Sequence, residues 1–129
     1  SAAAVGVDAV FCTIGCVDLY SPKTVRASMG GLFRIPVRSE LSWETLAPVL
    51  ADTTVVVADG VPGAVPYTRV DWRRPHTLVV GNEGHGSSAA AHRHAAHAVA
   101  IPMQAGVESL NAAMAATIML FEAQRQNTQ

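Results

Sequence analysis

Three polar residues draw attention by the company they keep: Glu83 inside the run Gly81-Asn82-Glu83-Gly84-His85-Gly86, and Ser109 and Asn111 inside Glu108-Ser109-Leu110-Asn111. Glycines at 81, 84 and 86 let the backbone turn sharply and bring main-chain amides close to a ligand, where a side chain would stand in the way. The run is not a Walker loop, since no Gly-Lys-Ser/Thr follows, and it lacks the dinucleotide spacing Gly-x-Gly-x-x-Gly. Taken alone, such a loop also serves simply to join a strand to a helix. In the second segment, Pro102 and Met103 interrupt an apolar strand and Gly106 permits a tight return. Ser109 and Asn111 fall at the first turn of a long apolar helix, where amides and dipole face a ligand. Ser109 reads equally well as a plain cap. The Asn111 amide can donate and accept at once, which suits it to orient a hydroxyl.

Other reactive residue types fit structural roles as well as chemical ones. His92, His94 and His97 invite a metal reading, but positions two and five apart on a helix do not converge and no acid or cysteine stands close in sequence, so a surface helix is expected and no metal site. Cys12 and Cys16 could supply at most half of a zinc site and are expected to be buried or idle thiols. Trp43 and Trp72 read as packing residues, and His85 as a neighbour of any ligand held by the glycine loop. From Asp18 to Arg38, Lys23, Arg26, Arg34 and Arg38 face a single acid, which makes either a solvated face or a phosphate-facing strip. Arg73-Arg74 extends that strip or merely flanks a loop.

The elements that must position these residues alternate between strand and helix. Ala2 to Gly6 reads as the last turn of a helix closed by a glycine. Ala9 to Ile14 follows as a strand, then a helix over Lys23 to Met29 opened by Ser21-Pro22 and stopped by Gly30-Gly31. Phe33 to Val37 reads as a short strand, Ser42 as the cap of a helix to Leu50, and Thr54 to Ala58 as a strand covered on both faces. Tyr67 to Trp72 is a short piece, Thr77 to Val80 a further strand, Ser87-Ser88 the start of an alanine-rich helix and Ala98 to Ile101 the last strand. From Ser109 the positions Leu110, Ala113, Met114, Thr117, Ile118 and Phe121 recur at helical spacing. Short loops between such elements predict an α/β fold with a parallel sheet flanked by helices, and in such sheets ligands sit beyond the carboxyl ends of the strands, where both informative loops lie.

Composition sets outer limits. With 129 residues, 50% hydrophobic and 15% charged, the chain reads as one globular domain over residues 1–129. Its apolar runs are too short for a membrane helix. A formal charge of -1 argues against unaided coating of nucleic acid. No signal-peptide pattern opens the sequence, so a cytoplasmic location is expected.

Together, Leu78 to Gly86 and Ile101 to Glu122, with Ser-Leu-Asn and the closing Leu-Phe-Glu, resemble the second and third motifs of the SpoU (TrmH) branch of the SPOUT RNA methyltransferases. Asp18 to Lys23 with Arg26 to Gly30 resembles the variant of that family acting on ribosomal RNA. The resemblance implies a deep trefoil knot, a homodimer, and S-adenosylmethionine held in a bent form by loop backbone. By motif, Gly81, Ile101, Leu110 and Ala58 would frame the adenosine, Glu83, Ser109 and Asn111 would serve catalysis, and Lys23, Arg26 and Arg34 would meet structured RNA. The implied reaction is methyl transfer to a ribose 2′-hydroxyl. It also implies a first-motif arginine that would immediately precede Ser1, so a domain truncated within that motif is expected. The alternative is a non-catalytic knotted module that binds RNA or cofactor.

Overall fold

A computed structural model describes residues 1–129. They form two compact units, Ser1–Leu46 and Ala47–Gln129. In the first, α1 (Ala2–Val5) ends at Gly6 in the left-handed conformation, φ 74, as the sequence leads one to expect. Strand β1 (Val10–Thr13) runs parallel to β2 (Val37–Leu41). Between them, α2 (Pro22–Ala27) carries proline in its first turn and is capped by Ser21, whose hydroxyl accepts from the Thr24 amide. A 3-10 turn over Gly31–Phe33 follows.

The sequence predicts a strand over Phe33 to Val37, and the strand instead begins at Val37. Phe33 and Arg34 donate backward to Gly30 and Gly31, continuing the turn. Pro36 has no N–H and enters the sheet only through its carbonyl, which accepts from Val10. Within β2, Phe11 pairs with Arg38 and Thr13 with Leu41, so β2 carries one extra residue there. That bulge puts Glu40 at φ 56.

The second unit holds a four-stranded parallel sheet in the order β4-β6-β3-β5. Its strands are β3 (Thr54–Ala58), β4 (Val65–Pro66), β5 (His76–Val80) and β6 (His97–Ala100). Val55, Val56 and Val57 of β3 are all buried, which is why that strand shows no polar alternation. The two units of parallel pairing match the expected α/β class, although the pairing is divided between a two-stranded and a four-stranded sheet.

Helix α3 (Trp43–Val49) opens at Ser42, whose hydroxyl accepts from the Thr45 amide. Helix α4 (Ala89–His94) is capped by Ser88, and α5 (Ala112–Asn127) closes the chain. A core of Val56, Val70, Trp72, Val99 and Met119 joins the sheet to α5. Trp72 is a packing residue, as expected, and its indole N–H donates to the Tyr67 carbonyl at 2.9 Å. The last turns of α5 are held to the same segment: Gln126 accepts from the Trp72 amide at 2.9 Å and donates to the Val70 carbonyl at 3.1 Å.

Candidate active site

At the carboxyl end of β3, Ala58 pairs with Val80 of β5 and Val99 of β6, so the chain leaves three adjacent strands at one rim. Gly81 follows β5, Ile101 follows β6 and Asp59 follows β3. Asp59 stays tied to the sheet, its amide donating to the Val99 carbonyl at 3.0 Å.

The 81–87 loop closes on itself. Asn82 donates to the Gly86 carbonyl at 3.0 Å and Gly86 returns the bond to Asn82 at 2.8 Å. Gly84 donates to the Asn82 side-chain oxygen at 2.7 Å. The amides of Gly84 and Gly86 are therefore used inside the loop, contrary to the expectation that the glycines expose them to a ligand. Gly81 is required for the same internal reason: a Cβ there would meet the Gly86 carbonyl carbon at 2.3 Å.

Between Ile101 and α5 lies an exposed segment that sequence periodicity assigned in part to the helix. Helix α5 starts three residues after Ser109, at Ala112, and its cap is Asn111. Leu110, at position 110 of the apolar stripe, therefore lies in this segment and is 40% exposed. The Asn111 side-chain oxygen accepts from the amides of Ala113 at 3.0 Å and Met114 at 3.2 Å. Its amide nitrogen donates to Glu83 Oε1, which bridges the two loops. Asn111 is thus a helix cap as well as a candidate for chemistry. Its oxygen is committed to the helix, leaving one N–H for anything else.

Residues 1–121 match the SpoU rRNA Methylase family. The chain belongs to that family. It is 36% identical over 132 residues to the 23S rRNA (uridine(2479)-2'-O)-methyltransferase of Streptomyces viridochromogenes, covering 98% of this chain and 46% of that protein. An uncharacterized tRNA/rRNA methyltransferase of Synechocystis sp. is 38% identical over 127 residues, again with 98% and 46% coverage. Among solved structures, the SpoU methyltransferase AviRb from Streptomyces viridochromogenes, in complex with the cofactor AdoMet, aligns with a TM-score of 0.89 at 35% identity over 98% of this chain and 53% of that one. The chain thus spans about half the length of these SpoU relatives.

Within this SpoU rim the structure brings together Ala58, Gly81, Glu83, Ile101 and Asn111. Lys23, Arg26 and Arg34 lie in the first unit, on α2 and the turn after it, and all three are exposed. The alanine-rich helix ends at His94, and His97 stands in β6, so the three histidines do not share one element. His92 instead contacts Asp59, Nε2 to Oδ2 at 3.0 Å. Sequence reasoning passed over Asp59. It stands 33 residues before its partner, and only the β3–α4 approach joins them. Asp59 Oδ2 also lies 3.6 Å from where a Gly86 Cβ would be, beneath the glycine loop. Cys12 has its thiol pKa raised, first by burial and then by neighbouring Cys16, which keeps it protonated and a poor nucleophile.

The rim has features that suit a nucleoside-sized cofactor. Val80 (39%), Met103 (38%) and Leu110 (40%) leave apolar surface uncovered along its strands and loops. Ser87 Oγ, at the base of the glycine loop, is buried without a hydrogen-bond partner. An apolar wall with an unsatisfied hydroxyl suits a ligand that is largely flat and apolar with a few polar edges.

Proposed function

We propose that residues 1–129 are the catalytic domain of a longer S-adenosylmethionine-dependent RNA 2'-O-ribose methyltransferase acting on ribosomal RNA. The observation that carries this reading is the Glu83–Asn111 hydrogen bond, which ties two family motifs together at the carboxyl rim of a parallel sheet. The relative named as a 23S rRNA 2'-O-methyltransferase and the AdoMet-bound neighbour support the choice of reaction and cofactor.

In this reading, Ala58, Gly81, Ile101 and Leu110 frame the adenosine, mainly by main-chain atoms. When bound, S-adenosylmethionine supplies a methyl group on a positively charged sulfonium. Glu83 fixes the rotamer of Asn111 by accepting from its amide, and that interaction leaves Asn111 one N–H to hold a ribose oxygen. Ser109, exposed two residues before the cap, can donate to or accept from the same sugar. The O–C bond to the methyl forms as the C–S bond breaks, S-adenosylhomocysteine leaves and the weakly acidic 2'-hydroxyl proton passes to water or a base; the contribution of these residues is to pre-set the hydroxyl in line with the methyl. Lys23, Arg26 and Arg34 neutralise RNA phosphates. The deep trefoil knot, the homodimer and a cytoplasmic location belong to the same proposal and rest on the family resemblance.

Calorimetry with S-adenosylhomocysteine tests the pocket, and mapping of ribose methylation in rRNA from a deletion strain tests the reaction. Binding of the spent cofactor, with one rRNA ribose methylation lost on deletion and restored by the gene, is the expected result. Absence of both would remove the assignment.

A further inference from the structure

The solvent face of α2 and the turn after it is patterned in a way phosphate contacts alone do not require. Positions 22, 23, 26, 27, 29, 30, 33 and 34 are exposed, while 24, 25, 28, 31, 32 and 35 are half-buried, so one stripe of side chains continues from the helix through the 3-10 turn. It carries three cations, Lys23, Arg26 and Arg34, and no acid. Between them stand two large apolar side chains left in water, Met29 at 88% and Phe33 at 69% exposure.

Met29 also occupies the left-handed conformation, φ 50, just past the end of α2. Glycine is the residue that takes such a position without strain, and Gly30, the next residue, does so at φ 79. A bulky thioether held out at a strained, solvent-facing turn is an outlier that packing does not explain, since it covers nothing.

We propose that this stripe binds an unpaired segment of RNA, with the Phe33 ring and the Met29 thioether against nucleobase faces and Lys23, Arg26 and Arg34 against the phosphates between them. The proposal rests on the reading of the chain as an RNA-modifying enzyme and adds the form of RNA it grips. An apolar pair, Met29 and Phe33, flanked by Lys23 and Arg26 on one side and Arg34 on the other matches a single strand, which offers open base faces beside its phosphates. In a duplex those faces are stacked away, and the apolar pair would have nothing to cover.

The test is fluorescence anisotropy of the full chain with a labelled oligouridylate and with an RNA duplex, at several salt concentrations. Phe33→Ala and Met29→Gly are expected to weaken oligouridylate binding by roughly tenfold each while leaving its salt dependence unchanged. Because glycine takes the position-29 conformation without strain, Met29→Gly is expected to keep the parental thermal unfolding transition, and that transition is measured beside its RNA affinity. Replacing Lys23, Arg26 or Arg34 with glutamine should lower the slope of log affinity against log salt by about 0.7 for each cation removed. Duplex affinity should move little with Phe33→Ala or Met29→Gly. Unchanged oligouridylate binding in both apolar variants would overturn the proposal. So would a shift in sedimentation coefficient on Phe33→Ala without loss of RNA affinity, which would assign the stripe to a second copy of the chain. S-adenosylhomocysteine affinity of the same variants is expected to stay at the parental value. A chain that binds this ligand but no oligouridylate defeats the RNA stripe alone, and one that binds oligouridylate but not this ligand defeats only the methyltransferase reading.

Discussion

At Gly81 an added Cβ would sit 2.3 Å from the Gly86 carbonyl carbon and 2.4 Å from both the Gly86 oxygen and the Ser87 nitrogen. All three are backbone atoms, so no side chain can swing away. Gly81→Ala is expected to cost about 2–4 kcal/mol or to open the loop, a loss chemical denaturation would read directly. A variant as stable as the parent would show that the loop can reopen freely. Asn111 needs finer dissection, because its side chain caps α5 and holds Glu83 at once. Asn111→Ala removes both functions and should cost about 1 kcal/mol of stability for the cap alone. Asn111→Ser keeps an acceptor for the helix amides but cannot reach Glu83 in the same way, and Asn111→Asp keeps the cap while setting two carboxylates face to face. If the bridge matters for chemistry, the serine variant should fold normally and lose methyl transfer by at least roughly tenfold. Parental rates in a stably folded Asn111→Ser enzyme would confine Asn111 to its structural task.

For the secondary elements, capping chemistry was readable because it is local. Ser21-Pro22, Ser42 and Ser88 each open a helix where the serine side chain accepts from the amide three residues on. The start of α5 is not legible from local chemistry in the same way. Leu110 continues the apolar spacing of the helix, so periodicity alone extends the helix backward to Ser109, while the hydrogen bonds begin only at Asn111. The 33–37 strand failed because apolar residues on a 3-10 turn and on a strand look alike over five positions, and Pro36 delays pairing to the polar stretch that follows. The Asp59–His92 contact lay beyond any local pattern, since it depends on which strand α4 packs against. Among the helices, α5 also offers a pH signature. Arg125 and Gln126 donate to Glu122, and these bonds, the arginine's first, bring its carboxyl pKa from 4.5 down to about 2. A depressed folded-state pKa contributes stability at pH above 4.5 and loses it as the pH falls from there toward 2. Unfolding free energy measured across that window should fall less steeply in Glu122→Gln than in the parent, and identical slopes would mean the interaction also persists in the unfolded chain.

Across the whole chain, burial is divided unequally between the two units. Of the buried apolar residues, Leu46 alone belongs to Ser1–Leu46, while Val55, Val56, Val57, Val99 and Met119 are among those in Ala47–Gln129. Parallel pairing in the first unit consists of β1 and β2 alone, and in the second of four strands centred on β3 and β6. A two-stranded sheet whose residues are at most half-buried opens at less cost than the four-stranded one, because less surface leaves contact when it does. Amide hydrogen exchange of the isolated chain should therefore protect Val55 to Val57 and Val99 at close to the global unfolding free energy. Amides of Phe11, Thr13 and Leu41 should exchange by local opening, at rates about a hundredfold or more higher if the difference in opening free energy reaches about 3 kcal/mol. The candidate catalytic rim lies in the well-packed unit and the exposed cationic stripe in the weakly packed one. Uniform protection across β1, β2, β3 and β6 would show that the first unit draws its stability from somewhere other than its own core.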